Sequence, residues 1–179
     1  MSAETLATAA ASATPAAPAA DPWRRLMGAI YECTLLFGVL WFTHYLFSAL
    51  TRFQGERGPM LVAFQVFTVL VLALYFAGFW ARGRRTVPMK TMGMQIVDQQ
   101  GRLLTPGRAL LRFAAALGGI VIGLGLGHEI HPALYLSLLV PYAWCFVDAD
   151  RRALYDVIAG TRLVHLPVPE PPRRKRARR

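Results

Sequence analysis

Residues 26–50 form an unbroken apolar run in which Glu32 is the one formally charged side chain. As an α-helix at ~1.5 Å per residue, about 25 residues exceed the ~30 Å hydrocarbon core of a bilayer. A backbone in that environment must satisfy its own hydrogen bonds, so the run is predicted to be a membrane-spanning helix. Three further blocks follow. Residues 60–80 are of spanning length, with Gln65 the most polar member. Residues 109–126 are rich in Ala and Gly, carry Arg112 near their start and are close to the minimum for a span; residues 133–147 are shorter and contain Pro141. The expected fold is an all-α membrane protein, a four-transmembrane-helix bundle whose last two helices form a tight pair across the short link 127–132. A chain that is 55% hydrophobic and 17% charged cannot be intrinsically disordered.

The polar stretch between the second and third blocks contains two short apolar pieces, 94–97 and 103–104, around Asp98, Gln99, Gln100 and Gly101. These are predicted to form a small cytoplasmic hairpin. The first 21 residues contain no Lys or Arg, so neither a secretory signal nor a mitochondrial presequence is expected there. The predicted organisation is a disordered Ala/Pro-rich tail over 1–22, a transmembrane domain over 23–165 and a basic tail over 166–179.

Charge supplies the sidedness. The chain has 20 Lys+Arg against 10 Asp+Glu. If all four blocks cross, 18 of the 20 cations fall on the side of the termini and the central loop, leaving only Arg52 and Arg57 opposite. The positive-inside rule then puts both termini in the cytoplasm, and the expected location is the inner membrane of a bacterium. The cations are explained as a topology signal, and no nucleic-acid partner is expected. The closing PPRRKRARR is expected to touch anionic lipid.

The residues of interest are the charges that break this segregation. A carboxylate in a membrane helix normally faces a protein partner or a wet cavity, which marks Glu32. Arg25 lies two turns earlier on the same helical face, ~10 Å away along the axis, too far for direct contact unless both share a partner. Asp156 is a single acid among apolar residues after the fourth block, near the mixed-charge group Asp148, Asp150, Arg151 and Arg152. It is expected to pair with a cation, and Arg25 stands at the same membrane face. Against these, Glu32 could merely snorkel to the surface and Asp156 could be solvated.

Gly119, Gly123 and Gly127 recur every four residues and are expected to let another helix approach closely. His44 sits about 120° around the helix from Glu32 and extends no proton path from it. His128, Glu129 and His131 lack the spacing of a zinc helix. Cys33 and Cys145 lie in apolar runs and act as small fillers. No phosphate-cradling loop and no nucleophile–base arrangement is present, so no metal, no cofactor and no enzymatic activity are expected.

Three stretches, WRRLMGAIYE at 23–32, GRRTVPMK at 83–90 with Gly93 and Ile96-Val97-Asp98, and ALYDVIAGTRLV at 153–164, resemble the RDD family of membrane proteins. That family is named for one arginine and two aspartates. The resemblance covers roughly residues 23–164 and aligns Arg25, Glu32 and Asp156 with those three positions, and Thr86, Lys90 and Gly93 with its loop motif. The chain departs from the pattern at Glu32 (for aspartate), Arg85 (for glutamine) and Pro88 (for a common glycine). The resemblance implies membrane transport of an ion or small solute, with Arg25, Glu32 and Asp156 expected as one polar constellation near the cytoplasmic face, or a scaffold in a membrane complex in which these three form a structural ion-pair network. Four helices give few walls for a pathway, so transport implies a homo-oligomer.

Overall fold

The computed structural model describes residues 18–166, so the basic cluster 173–179 and the tail before Pro18 lie outside the described residues. Three helices are long and apolar enough to cross a membrane: α1 (Pro22–Thr51), α2 (Pro59–Trp80) and α4 (Pro106–Glu129). Each opens with a proline in its first turn, where the missing N–H costs nothing and φ is already helical. The short helices α3 (Val87–Thr91) and α6 (Leu154–Ala159) and the strands β1 (Met94–Asp98) and β2 (Thr161–His165) gather at the end where α1 starts, α2 stops and α4 starts. At the opposite end of α1 and α2, Phe47, Phe53, Phe64 and Phe67 pack edge-to-face or tilted with centroids 5.0–6.2 Å apart. His44 Nε2 lies 2.9 Å from Thr68 Oγ1, which gives that lone polar side chain a partner inside the pair.

The fourth apolar block is not a regular α-helix. Pro132–Leu139 and Trp144–Phe146 are 3₁₀, joined by one α turn, α5 (Val140–Ala143). It runs antiparallel to α4 on the glycine face. A Cβ on Gly127 would meet the Tyr135 ring, one on Gly123 would meet Leu138 and Ser137, and one on Gly119 would meet Pro141. Between Gly119 and Gly127, α4 climbs eight residues at ~1.5 Å, while from Tyr135 to Pro141 the other segment climbs six at up to ~2.0 Å. With the last two of those steps in the α turn, the second rise is ~11 Å against ~12 Å for α4, so 3₁₀ winding lets the shorter block keep pace with the helix. The glycine face thus packs within the chain.

The hairpin expected over 94–104 does not form as such. β1 pairs antiparallel with β2, in the register Met94↔His165 to Asp98↔Thr161, and Leu103 contributes only an isolated bridge to Val97. Asp98 closes the turn: its carboxylate accepts from the Arg102 N–H at 2.7 Å, and its own N–H donates to the Arg102 carbonyl. Leu104 then plugs the core and Thr105 caps α4. On the far edge of β2, the Ala20 N–H donates to the Leu163 carbonyl and the His165 N–H to the Pro18 carbonyl. Residues 18–20, within the stretch expected to be tail, therefore run along the sheet. The core beneath contains Trp80, Met89, Met94, Ile96, Leu104 and Phe113.

Candidate functional site

The most buried carboxylate is Asp156, fully enclosed on the first turn of α6. Arg25, from the first turn of α1, donates Nη1 to its Oδ2 at 2.8 Å, and Arg112, from the second turn of α4, donates Nε to its Oδ1 at 2.7 Å. The Thr161 hydroxyl at 3.2 Å and the Ala153 N–H at 3.3 Å add two neutral donors. Burial works to raise the Asp156 carboxyl, but Arg112 and then Arg25 outweigh it and hold the group below its ordinary 3.8. Arg112 is also flanked by aromatic faces, with its Cζ 4.2 Å from the Trp80 ring centroid and 5.0 Å from that of Tyr155. Such stacking favours the weakly hydrated guanidinium over an ammonium. The cluster joins the starts of α1 and α4 to the segment that leads into β2.

Two guanidiniums face one carboxylate, so the buried cluster carries an excess positive charge. Arg25 Nε and Nη2 and Trp80 Nε1 have no protein partner among the described residues. Arg112 belongs to this site although its position at the edge of an apolar block reads in sequence as sidedness. The available signal was that a span-edge arginine also needs a partner.

Glu32 forms a separate site. Its Oε1 accepts from the Tyr75 hydroxyl at 2.5 Å and its Oε2 from the Thr86 hydroxyl at 2.7 Å. It shares no partner with Arg25, and no cation lies within ion-pair distance of it among the described residues. The two residues that lie two turns apart on α1 therefore serve different contacts. Thr86 is fully buried and does two jobs, since its oxygen also accepts from the Met89 N–H at 3.4 Å as the N-cap of α3. Lys90 on α3 is exposed. Gly93 leads into β1 with φ +64°, and a Cβ there would lie 3.1 Å from the His165 ring and 3.3 Å from the Leu166 carbonyl oxygen, so glycine fits both the turn and the close approach.

Beside the Asp156 cluster, a cavity of about 560 Å³ lies between the start of α1 and the end of the 3₁₀ block, lined by Pro22, Leu26, Tyr142, Cys145, Asp148 and Arg151 among others. The Tyr142 hydroxyl closes one side by donating to the Pro22 carbonyl at 2.6 Å. Asp148 at its rim is gripped by Arg152 at 2.9 and 3.1 Å, which lowers its pKa to about 2. Among the described residues no His, Cys, Asp and Glu gather as a metal cluster. His131 instead caps its own turn by accepting from the Ala133 N–H, and both cysteines are free thiols.

No curated protein and no solved structure matches this chain. A family model does: the RDD family model matches residues 19–160, from the edge of the sheet through α6, and includes Arg25, Glu32, Arg112 and Asp156. The chain belongs to the RDD family of membrane proteins.

Proposed function

We propose that this protein carries a proton or a small cation across a bacterial inner membrane, with Glu32 as the carboxylate that binds it. The observation that carries this reading is that Glu32 lies within a spanning helix and, among the described residues, is held only by two hydroxyls, from Tyr75 and Thr86. A carboxylate already neutralised by arginine has no reason to exchange its partner, whereas one held by neutral donors can take and release a cation. In this reading the 3₁₀ block is the fourth crossing, the sheet and both termini face the cytoplasm, and the cavity beside α1 is the cytoplasmic vestibule. Walls for a pathway come from a homo-oligomer. Because the Gly119–Gly123–Gly127 face is filled by Tyr135, Leu138 and Pro141, contacts between copies use other surfaces. No catalytic step, cofactor or metal enters this reading.

The test is proton- and cation-driven flux in proteoliposomes, together with membrane abundance, for wild type and Glu32→Gln. Normal abundance with lost flux supports the reading. Equal flux in both, or none in the wild type under proton, sodium and potassium gradients, overturns it.

The second reading is a membrane scaffold, favoured by the Asp156 site. Four donors from three parts of the chain on one buried carboxylate act as a lock. Under this reading Glu32→Gln alters neither abundance nor flux, and Asp156→Asn releases the sheet and whatever it recruits.

A further inference from the structure

On the side of α2 facing the start of α4, Leu74, Ala77, Gly78 and Ala81 line a groove of about 280 Å³ together with Arg82, Arg84 and Pro106. The spacing i, i+3, i+4, i+7 sets the four apolar residues in one stripe running ~10 Å along the spanning helix. Its deep end faces outward, with Leu74 76% exposed, and no other packed group among the described residues lies within 4 Å of where a Cβ on Gly78 would stand. Its shallow end is cationic. Neither Arg82 nor Arg84 has a carboxylate within ion-pair distance among the described residues, unlike Arg25, Arg108, Arg112, Arg151 and Arg152.

The backbone there is held in an unusual form. Arg82 has φ +56°, a left-handed conformation rarely adopted by a residue with a side chain, and is pinned by its N–H donating to the Leu104 carbonyl at 2.8 Å. The facing end of α4 starts at Pro106, capped by the Thr105 hydroxyl, with Asp98 turned to Arg108 on its first turn and not toward Arg82 or Arg84. Charge thus accumulates at the level where α2 leaves the apolar layer, directly above an apolar channel.

We propose that this groove binds one anionic phospholipid, with its phosphate between Arg82 and Arg84 and the start of an acyl chain along Leu74, Ala77 and Gly78. The complementarity is two-part. Guanidinium forks match phosphate oxygens, and a stripe open to lipid matches a hydrocarbon chain. A free phosphate ion satisfies only the first half, and a zwitterionic lipid brings its own cation to the arginines.

The experiment is native mass spectrometry of the full chain released from detergent, after exposure to phosphatidylglycerol, to phosphatidylcholine with the same acyl chains, or to inorganic phosphate. The wild type is expected to retain phosphatidylglycerol over phosphatidylcholine by roughly tenfold or more, the scale that two arginines near a membrane surface supply. Inorganic phosphate at equal concentration should not displace the lipid. The double variant Arg82→Gln/Arg84→Gln should lose the preference. Gly78→Leu, whose side chain enters open space, should lose lipid retention while keeping its thermal midpoint in phosphatidylcholine micelles. If the arginine variant fails to fold, Gly78→Leu alone decides. Retention unchanged in Gly78→Leu, a preference unchanged in a folded arginine variant, or displacement by inorganic phosphate overturns the proposal.

Discussion

Arg112 and Asp156 stand 44 residues apart in the chain and meet at 2.7 Å, with the guanidinium stacked over Trp80 and the carboxylate closed from solvent. The contact fastens α4 to the segment that enters β2. Asp156 also holds Arg25, so one carboxylate ties the first turn of α1 and the second turn of α4 to the sheet.

Removing that charge should therefore undo more than one contact. Asp156→Asn leaves two guanidiniums buried against an amide, and breaking a buried pair from one side costs about 3–5 kcal/mol. The expected outcome is a large fall in the thermal midpoint of the purified protein and in its membrane abundance. Arg112→Lys should fall in the same direction by less, because lysine keeps the charge and loses the planar stacking. An unchanged midpoint in Asp156→Asn would remove the central role given to this carboxylate.

The pH dependence has a definite sign. Asp156 is held below its ordinary 3.8 by Arg112 and Arg25, and Asp148 is lowered to about 2 by its hydrogen bonds from Arg152. A folded-state pKa below the unfolded value adds stability that is fully present above the unfolded pKa and is lost as pH falls through the folded one. Unfolding monitored by tryptophan fluorescence should be insensitive to these two groups from pH 5 to 7. It should shift to lower temperature from about pH 4 downward, with the steeper fall absent in Asp156→Asn.

At Glu32 the two hydroxyl donors can be removed one at a time. Tyr75→Phe deletes one hydrogen bond to a charged acceptor, worth roughly 1.5–3 kcal/mol if nothing replaces it. Thr86→Val deletes the other and also the α3 cap, adding about 1 kcal/mol. Thermal unfolding should therefore rank wild type above Tyr75→Phe and Tyr75→Phe above Thr86→Val. Equal losses would mean that the α3 cap adds little, and the reverse order would mean that the Tyr75 bond outweighs the Thr86 bond and the cap together.

The glycines of α4 should divide by face. A Cβ on Gly127 would stand within 2.6 Å of three atoms of the Tyr135 ring, so Gly127→Ala forces the 3₁₀ block outward at a cost of about 1–3 kcal/mol. Gly125 meets nothing within 4 Å, and Gly125→Ala should be neutral or gain up to ~1 kcal/mol from helix propensity. Paired denaturation curves in detergent test this, and equal losses in both variants would contradict the packing.

Much of this architecture can be read from residue order because length and polarity in a membrane leave few alternatives. Three apolar runs of spanning length are three helices. Asp156, alone among apolar neighbours, needed a cation from the same face, and Arg25 lies against it. Arg112 was harder to see because a cation at the end of a span already has an explanation as a sidedness signal. The partners of Glu32 were invisible for a different reason: tyrosine and threonine occur throughout apolar helices, and nothing in the residue series says which one turns toward an acid. β2 escaped because five residues about sixty positions from β1 carry no pairing signal, whereas the nearby Leu103-Leu104 did. The 3₁₀ winding matches the rise of the glycine face of α4 that it lies against, a relationship between two segments that neither shows by itself.

That winding has a consequence for thickness. The fourth block holds most of its residues at up to ~2.0 Å each, so it is already extended almost as far as a helical form allows. Rewinding a 3₁₀ stretch to α shortens it by up to ~0.5 Å per residue, while lengthening it requires losing helical bonds altogether. The segment is a ruler that can contract but not stretch, and its far end is fastened to α1 through Tyr142 and the Pro22 carbonyl. With this block as the fourth crossing proposed above, a thinner bilayer would be accommodated by coiling and a thicker one would pull directly on that fastening.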